Sequence, residues 1–321
     1  VREVQFEELI SLDPEALQRL NPIGVIFLFK YPTNETAQRD KPLDGEFDYA
    51  ALDPNFAGNA DDDEPHQPIW FAAQTIQNAC GTQALLSVLL NKDTATTSSD
   101  PSDSAGGGVD IGPTLRDFKS FTAPLPPEIR GEALSNSEAI RTIHNSFARS
   151  SPFVSDETRL ATEDDDVYHF IAYTSVNNTL YELDGLQPAP IRHGDRGACP
   201  VEIFADAVVP VLQRRIERYP PSEIRFNLLA ICPDLRIAAR GIGDREGVER
   251  EERKRREWRW ENALRRHNFV GLIGEVMKGV VGEKIKGGRF EEWVEEAKRT
   301  TAGRVAERKK KGGMGEEMDV S

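Results

Sequence analysis

The chain has 321 residues, 38% of them apolar and 29% charged, which suits roughly two domains, or one domain with appendages. Its formal net charge of −14 argues against direct nucleic-acid binding and favours partners with basic contact points. No apolar run reaches bilayer length and no signal peptide opens the chain. The three cysteines, Cys80, Cys199 and Cys232, are an odd count that cannot form a disulfide framework and point to a reducing compartment.

The start at Val1 rather than Met reads as a trimmed or partial chain. Gly24 to Tyr31 reads as a buried strand, rich in β-branched and aromatic residues. Residues 32–68 carry Pro32, Pro42, Pro54, Pro65 and Pro68 with the run Asp61-Asp62-Asp63-Glu64, the pattern of a surface insertion. Residues 79–91 predict a helix whose apolar face holds Ala84, Leu85, Val88 and Leu89. Residues 94–108 read as a loop and Ile111 to Phe121 as a helix. Ser135 precedes Glu138 by capping-box spacing, which predicts a helix from Ser135 to Phe147. An acidic loop over 150–166 leads to two strands, Val167–Val176 and Thr179–Asp184. Pro200 to Tyr219 predicts a helix with proline in its first turn, and Arg225 to Cys232 a further buried strand. A linker is expected at 234–243. Beyond it, 244–321 reads as an all-helical domain with a basic tail, set apart from a mixed α+β domain over 1–233. The sequons at Asn34 and Asn177 read as chance matches.

Two features carry chemistry. In Gln74-Thr-Ile-Gln-Asn78-Ala-Cys80, Asn78 is a good N-cap, which places Cys80 in a first helical turn. There the helix dipole and unpaired N–H groups favour a thiolate. The Cys80 N–H can also donate to an oxyanion, and Gln74 can supply a second donor from its side-chain amide. Taken alone, Cys80 fits a buried packing thiol better. In Val167-Tyr-His169…Val176-Asn177-Asn178-Thr179…Asp184, two strands flank a two-residue turn, the signature of a tight hairpin. Partner numbers then sum to 355, and alternation puts His169 and Asp184 on one sheet face as diagonal neighbours. That pair fits a catalytic dyad and a structural His–carboxylate partnership alike. Joined with Cys80, it makes the papain-like arrangement of a cysteine on a helix facing a histidine on a strand. His66, His144, His193 and His267 carry no comparable pattern, and His193 and Cys199 lie in loops without metal-ligand spacing. No cofactor or metal is expected.

These segments resemble the ubiquitin carboxyl-terminal hydrolase family: Gln74 with Asn78-Ala-Cys80 and Thr82-Gln83-Ala84, Asp165 to Phe170, and Leu180 to Leu186. The resemblance is nearest to the proteasome-associated branch through Phe6 to Asp13, Leu134 to Ser137, Ile143 to Arg149, Arg225 to Ala230 and Arg265 to Phe269. It implies an α+β, papain-like fold with a central antiparallel sheet flanked by helices and a helical C-terminal extension. It also implies a thiol-dependent deubiquitinase in which Gln74 completes the oxyanion hole, Cys80 attacks, His169 acts as base and acid, and Asp184 orients it. Residues 150–166 would cross over the site and limit the leaving group. Ubiquitin is the expected substrate. Residues 244–310 would dock on a proteasomal ubiquitin receptor, with a chromatin-remodelling complex as a further partner and a cytoplasmic and nuclear location. The rival reading is a catalytically silent adaptor that binds ubiquitin at the proteasome.

Overall fold

The computed structural model describes residues 4–31, 41–53, 68–76, 78–93, 109–147, 168–220 and 223–313, with side chains through 304. The loops expected at 94–108 and 150–166, the acidic run at 61–64, His66, the Asn34 sequon, Asp165 to Val167 and the end of the tail lie outside the described residues. The chain divides into two compact units, and the boundary falls after Trp260.

The first unit is built on a seven-stranded antiparallel sheet of order β1-β7-β2-β4-β5-β6-β3. Its strands are β1 (Val4–Glu8), β2 (Gly24–Lys30), β3 (Glu46–Phe47), β4 (Tyr168–Val176), β5 (Thr179–Leu183), β6 (Ile191–His193) and β7 (Asn227–Pro233). The central strands alternate between two cores, as a pleated sheet covered on both faces must. Val25, Phe27 and Phe29 of β2 and Ile171 and Tyr173 of β4 pack with α1 (Pro14–Leu20) and α6 (Phe204–Ile216). Ile26 of β2, Ala172 and Val176 of β4 and Ile231 of β7 pack with α2 (Cys80–Asn91) and its neighbour α3 (Gly112–Thr122). Residues 46–47, inside the expected surface insertion, pair with β6 and close one sheet edge.

The β4–β5 turn has Asn177 at φ 48° and Asn178 at φ 54°, the left-handed pair that a two-residue hairpin demands and that asparagine tolerates. The register follows: Val176 faces Thr179 and Ala172 faces Leu183, the sum of 355 expected from the sequence. α2 is buried on nearly every side, from Cys80 to Leu90, because it fills the space between the sheet and the helices beside it.

Several expectations are corrected. α2 begins one residue after Ala79, which occupies the cap position with no side-chain bond, and Asn78 is exposed. The predicted helix from Ser135 to Phe147 is two helices, α4 (Pro127–Asn136) and α5 (Glu138–Ser146). Ser137 caps α5 by accepting from Ile140 N–H at 3.5 Å. The hydroxyl of Ser135 instead donates back to the Gly131 carbonyl at 2.9 Å in the last turn of α4. His193 lies on a strand and not in a loop. Residues 234–243, expected as a linker, hold α7 (Leu235–Gly241), capped by the Asp234 side chain. α7 is followed by α8 (Arg245–Arg266). Glu251, Lys254 and Arg255 of α8 bind Gln5, Glu7 and Asp234, so this stretch packs on β1 as part of the first unit.

The second unit contains the end of α8, α9 (Val270–Lys286) and α10 (Phe290–Gly313). α9 and α10 contact each other, and Phe290 packs near Trp293 with ring centroids 6.3 Å apart.

Candidate active site

Cys80 is the first residue of α2, where the N–H groups have no partner within the helix. α2 packs against β4, which brings the start of that strand to the sulfur. The His169 side chain and the backbone of Phe170 and Gly81 lie near enough to the thiol to favour its ionised form. Burial pushes this thiol up. The His169 side chain, the two backbone groups and the His169 charge outweigh it, and the group lies below its ordinary value. Cys80 is buried, with 8% of the residue exposed.

His169 stands second in β4, opposite Phe29 of β2. Its Nε2 bonds Asp184 Oδ1 at 2.7 Å, which leaves Nδ1 for the thiol. The ring sits in an aromatic slot, edge-on to Phe29 at 5.8 Å and to Tyr31 at 5.5 Å between centroids. Burial opposes its charge, but Asp184 and Cys80 together carry it up to about 9. Asp184 follows the last residue of β5, where the ladder has ended. Its Oδ1 also accepts the Leu186 N–H at 3.0 Å, and its Oδ2 accepts from the Gln187 amide at 3.4 Å. Burial opposes its charge, but the His169 bond and charge, followed by the Leu186 and Gln187 bonds, keep the carboxyl below its usual range.

Gln74 lies in an arm, 69–76, that belongs to no strand. Its N–H donates to the Gly185 carbonyl at 2.8 Å, next to Asp184. The four residues singled out in the sequence thus converge from three segments: α2, the arm and the β4–β5 hairpin. The other thiols differ sharply. Burial raises Cys199 and carries Cys232 to about 12. His144 accepts or donates one bond to Thr82 at 2.8 Å on the flank of α2. His193 is buried against Glu182, Nε2 to Oε2 3.3 Å, in a cluster with Tyr173 and Arg215. Among the described residues no cluster of His, Cys, Asp or Glu is placed to hold a metal.

Sequence reasoning missed the residues that hold the arm. Arg130 of α4 is 2% exposed and donates to the carbonyls of Ile69, Phe71, Thr122 and Ala123. Asn91 closes a two-way bond with Trp70, at 2.8 and 2.9 Å. Their side chains do the work of a neighbouring strand. No local pattern marks them.

A thiol at a helix start, an imidazole on an antiparallel sheet and a carboxylate behind it define a papain-like cysteine hydrolase. The sequence matches the family model described as ubiquitin carboxyl-terminal hydrolase, family 1, over residues 1–217, and a second, described as ubiquitin carboxyl-terminal hydrolases, over 246–284. Ubiquitin carboxyl-terminal hydrolase 2 of Schizosaccharomyces pombe is 47% identical over 305 residues, covering 93% of this chain and 90% of that protein. The isozyme L5 of Dictyostelium discoideum is 31% identical over 334 residues, covering 87% of this chain and 85% of that protein. A crystal structure of the Trichinella spiralis UCH37 catalytic domain bound to ubiquitin vinyl methyl ester matches with a TM-score of 0.51 at 36% identity, covering 72% of this chain and 86% of that one. The chain belongs to the ubiquitin carboxyl-terminal hydrolase family. It is a thiol-dependent deubiquitinase, and ubiquitin is its substrate.

Proposed function

We propose that Cys80 is the nucleophile, His169 the base and acid, Asp184 the residue that orients His169, and Gln74 with the Cys80 N–H the oxyanion hole. One observation carries this assignment: Asp184 holds the His169 ring at 2.7 Å beside a thiol at the first residue of a helix, and that setting favours a lowered thiol and a raised imidazole. The Cys80 thiolate adds to the carbonyl of ubiquitin's C-terminal glycine. The negative charge that forms on the carbonyl oxygen is held by the two donors. The leaving amine takes a proton from His169, and a thioester remains. Water then gives a proton to His169, attacks the thioester and expels the thiolate, which frees the glycine carboxylate. Ubiquitin bearing a C-terminal electrophile should label the chain once, on Cys80, and Cys80→Ala should abolish both labelling and turnover while ubiquitin still binds. An adduct on Cys199 or Cys232 would overturn the assignment.

The second unit is proposed to dock on a proteasomal ubiquitin receptor, with a chromatin-remodelling complex as another partner, in the cytoplasm and nucleus. The exposed apolar residues of α9, Leu272, Ile273, Val276 and Met277, support a helix that meets a partner through that surface. Replacing Ile273 and Val276 by Asp should abolish co-purification with proteasomes and leave cleavage of a small ubiquitin adduct unchanged.

A further inference from the structure

The backbone of the arm 69–76 must find partners outside any sheet, because a buried peptide group left unpaired is costly. Ile69 N–H donates to the Ala51 carbonyl at 3.0 Å and Ala73 N–H to the Pro127 carbonyl at 2.9 Å. The Ile69 and Phe71 carbonyls accept from Arg130, and Trp70 is matched by Asn91. The Ala72 carbonyl accepts from Gln83 Nε2 at 2.5 Å. Arg130 stands on α4 and Asn91 at the far end of α2, whereas Gln83 stands one turn beyond Cys80, with its N–H bonded to the Ala79 carbonyl.

The Gln83 amide also meets the third segment of the site. A Cβ added at Gly185 would fall 2.1 Å from Gln83 Nε2 and 3.1 Å from Gln74 Cβ. Only a residue without a side chain lets the three groups meet there. The Gly185 carbonyl takes the Gln74 N–H, and Gly185 directly follows Asp184. A single 5%-exposed amide therefore touches the nucleophile's helix, the arm of Gln74 and the residue next to Asp184.

We propose that Gln83 is a positioning residue for the hydrolysis: it fixes the distance between the Cys80 helix and the arm, and so aims the Gln74 amide at the oxyanion. This rests on the reading of Gln74 as an oxyanion donor. Removing such a donor costs about 10²–10³ in kcat, and a displacement of about 1 Å costs a large part of that.

The test uses the full chain and a fluorogenic amide at the C-terminus of ubiquitin. Gln83→Met keeps the length and removes the donor; Gln83→Glu keeps the shape and turns a carboxylate on the Ala72 carbonyl. Both should lower kcat by about 10–100-fold with KM within about 2-fold. In Gln83→Met, which adds no charge, the rate and pH dependence of Cys80 alkylation by a small haloacetamide, which forms no oxyanion, should stay unchanged. In a Gln74→Ala background, adding Gln83→Met should cost less than about 3-fold more, because the two act through one contact. A purely structural role would lower Tm and leave kcat within about 3-fold. That result overturns the proposal, as does a full multiplication of the two losses. The underlying reading fails separately, in the Gln74→Ala single variant, if its kcat equals that of the wild type.

Discussion

On the proposed assignment, Cys80 and His169 form an ion pair over a window set by their surroundings. His169 keeps its proton up to about 9, and Cys80 loses its proton below the ordinary thiol range. Turnover should therefore rise on the acid side as the thiol ionises and fall on the alkaline side near the His169 value. Asp184 sets the alkaline limb, because its charge and its 2.7 Å bond raise the ring against burial. In Asp184→Asn that support is gone, so the folded-state value of His169 falls and the alkaline limb moves to lower pH. The kcat should drop by about 10²–10⁴. A pH–rate profile with the alkaline limb unmoved would show that another group sets it. The meeting of His169 and Asp184 was legible in the sequence because a two-asparagine turn admits few backbone conformations and so dictates register. The start of α2 was less so. Asn78 and Ala79 are adjacent, and propensity alone prefers the asparagine, whereas the fold gives the cap position to alanine.

At the scale of elements, what the sequence hides is the arm and the helix that supports it. Periodicity reveals strands and helices that bond to themselves or to similar neighbours. The arm bonds to side chains 11 to 61 residues away in sequence, and α4 bears no apolar stripe strong enough to announce it. The Ser135 expectation failed for a related reason: Ser135 and Ser137 are both capping types, and the break between α4 and α5 selects the second. Arg130 is the load carrier in this region. Its buried guanidinium is compensated by four carbonyls. Arg130→Met should leave those acceptors unpaired and destabilise the protein by about 3–5 kcal/mol. Arg130→Lys should rescue little, since one ammonium cannot span the geometry that a planar fork covers. Urea unfolding would show a lower midpoint at an unchanged m-value for both. An unfolding free energy within about 0.5 kcal/mol of wild type would contradict the account.

At the scale of the whole molecule, the change of composition near residue 234 does not coincide with the limit of the first compact unit. The charged sequence of α8 looked like the start of a separate helical region, since a helix rich in Arg, Glu and Lys ordinarily faces solvent. Yet Glu251 is 5% exposed and receives the Gln5 amide, and Arg255 reaches Asp234 at 3.0 Å. Gln5 also accepts from the Leu235 N–H and from Arg255, both at 3.1 Å. These contacts hold the Gln5 and Glu7 side chains on one face of β1, the strand that pairs with β7 at the end of the sheet. A chain ending after Trp260 keeps all of these bonds, and it should fold with the Tm of the full chain and hydrolyse a small ubiquitin adduct. A chain ending after Pro233 loses Asp234, α7 and α8 together and leaves the Gln5 and Glu7 side chains without these partners. It should melt at least about 5 °C lower and aggregate on concentration, which paired calorimetry and light scattering would register. Equal melting of the two truncated chains would place the boundary at 233 and leave α7 and α8 without a part in the stability of the sheet.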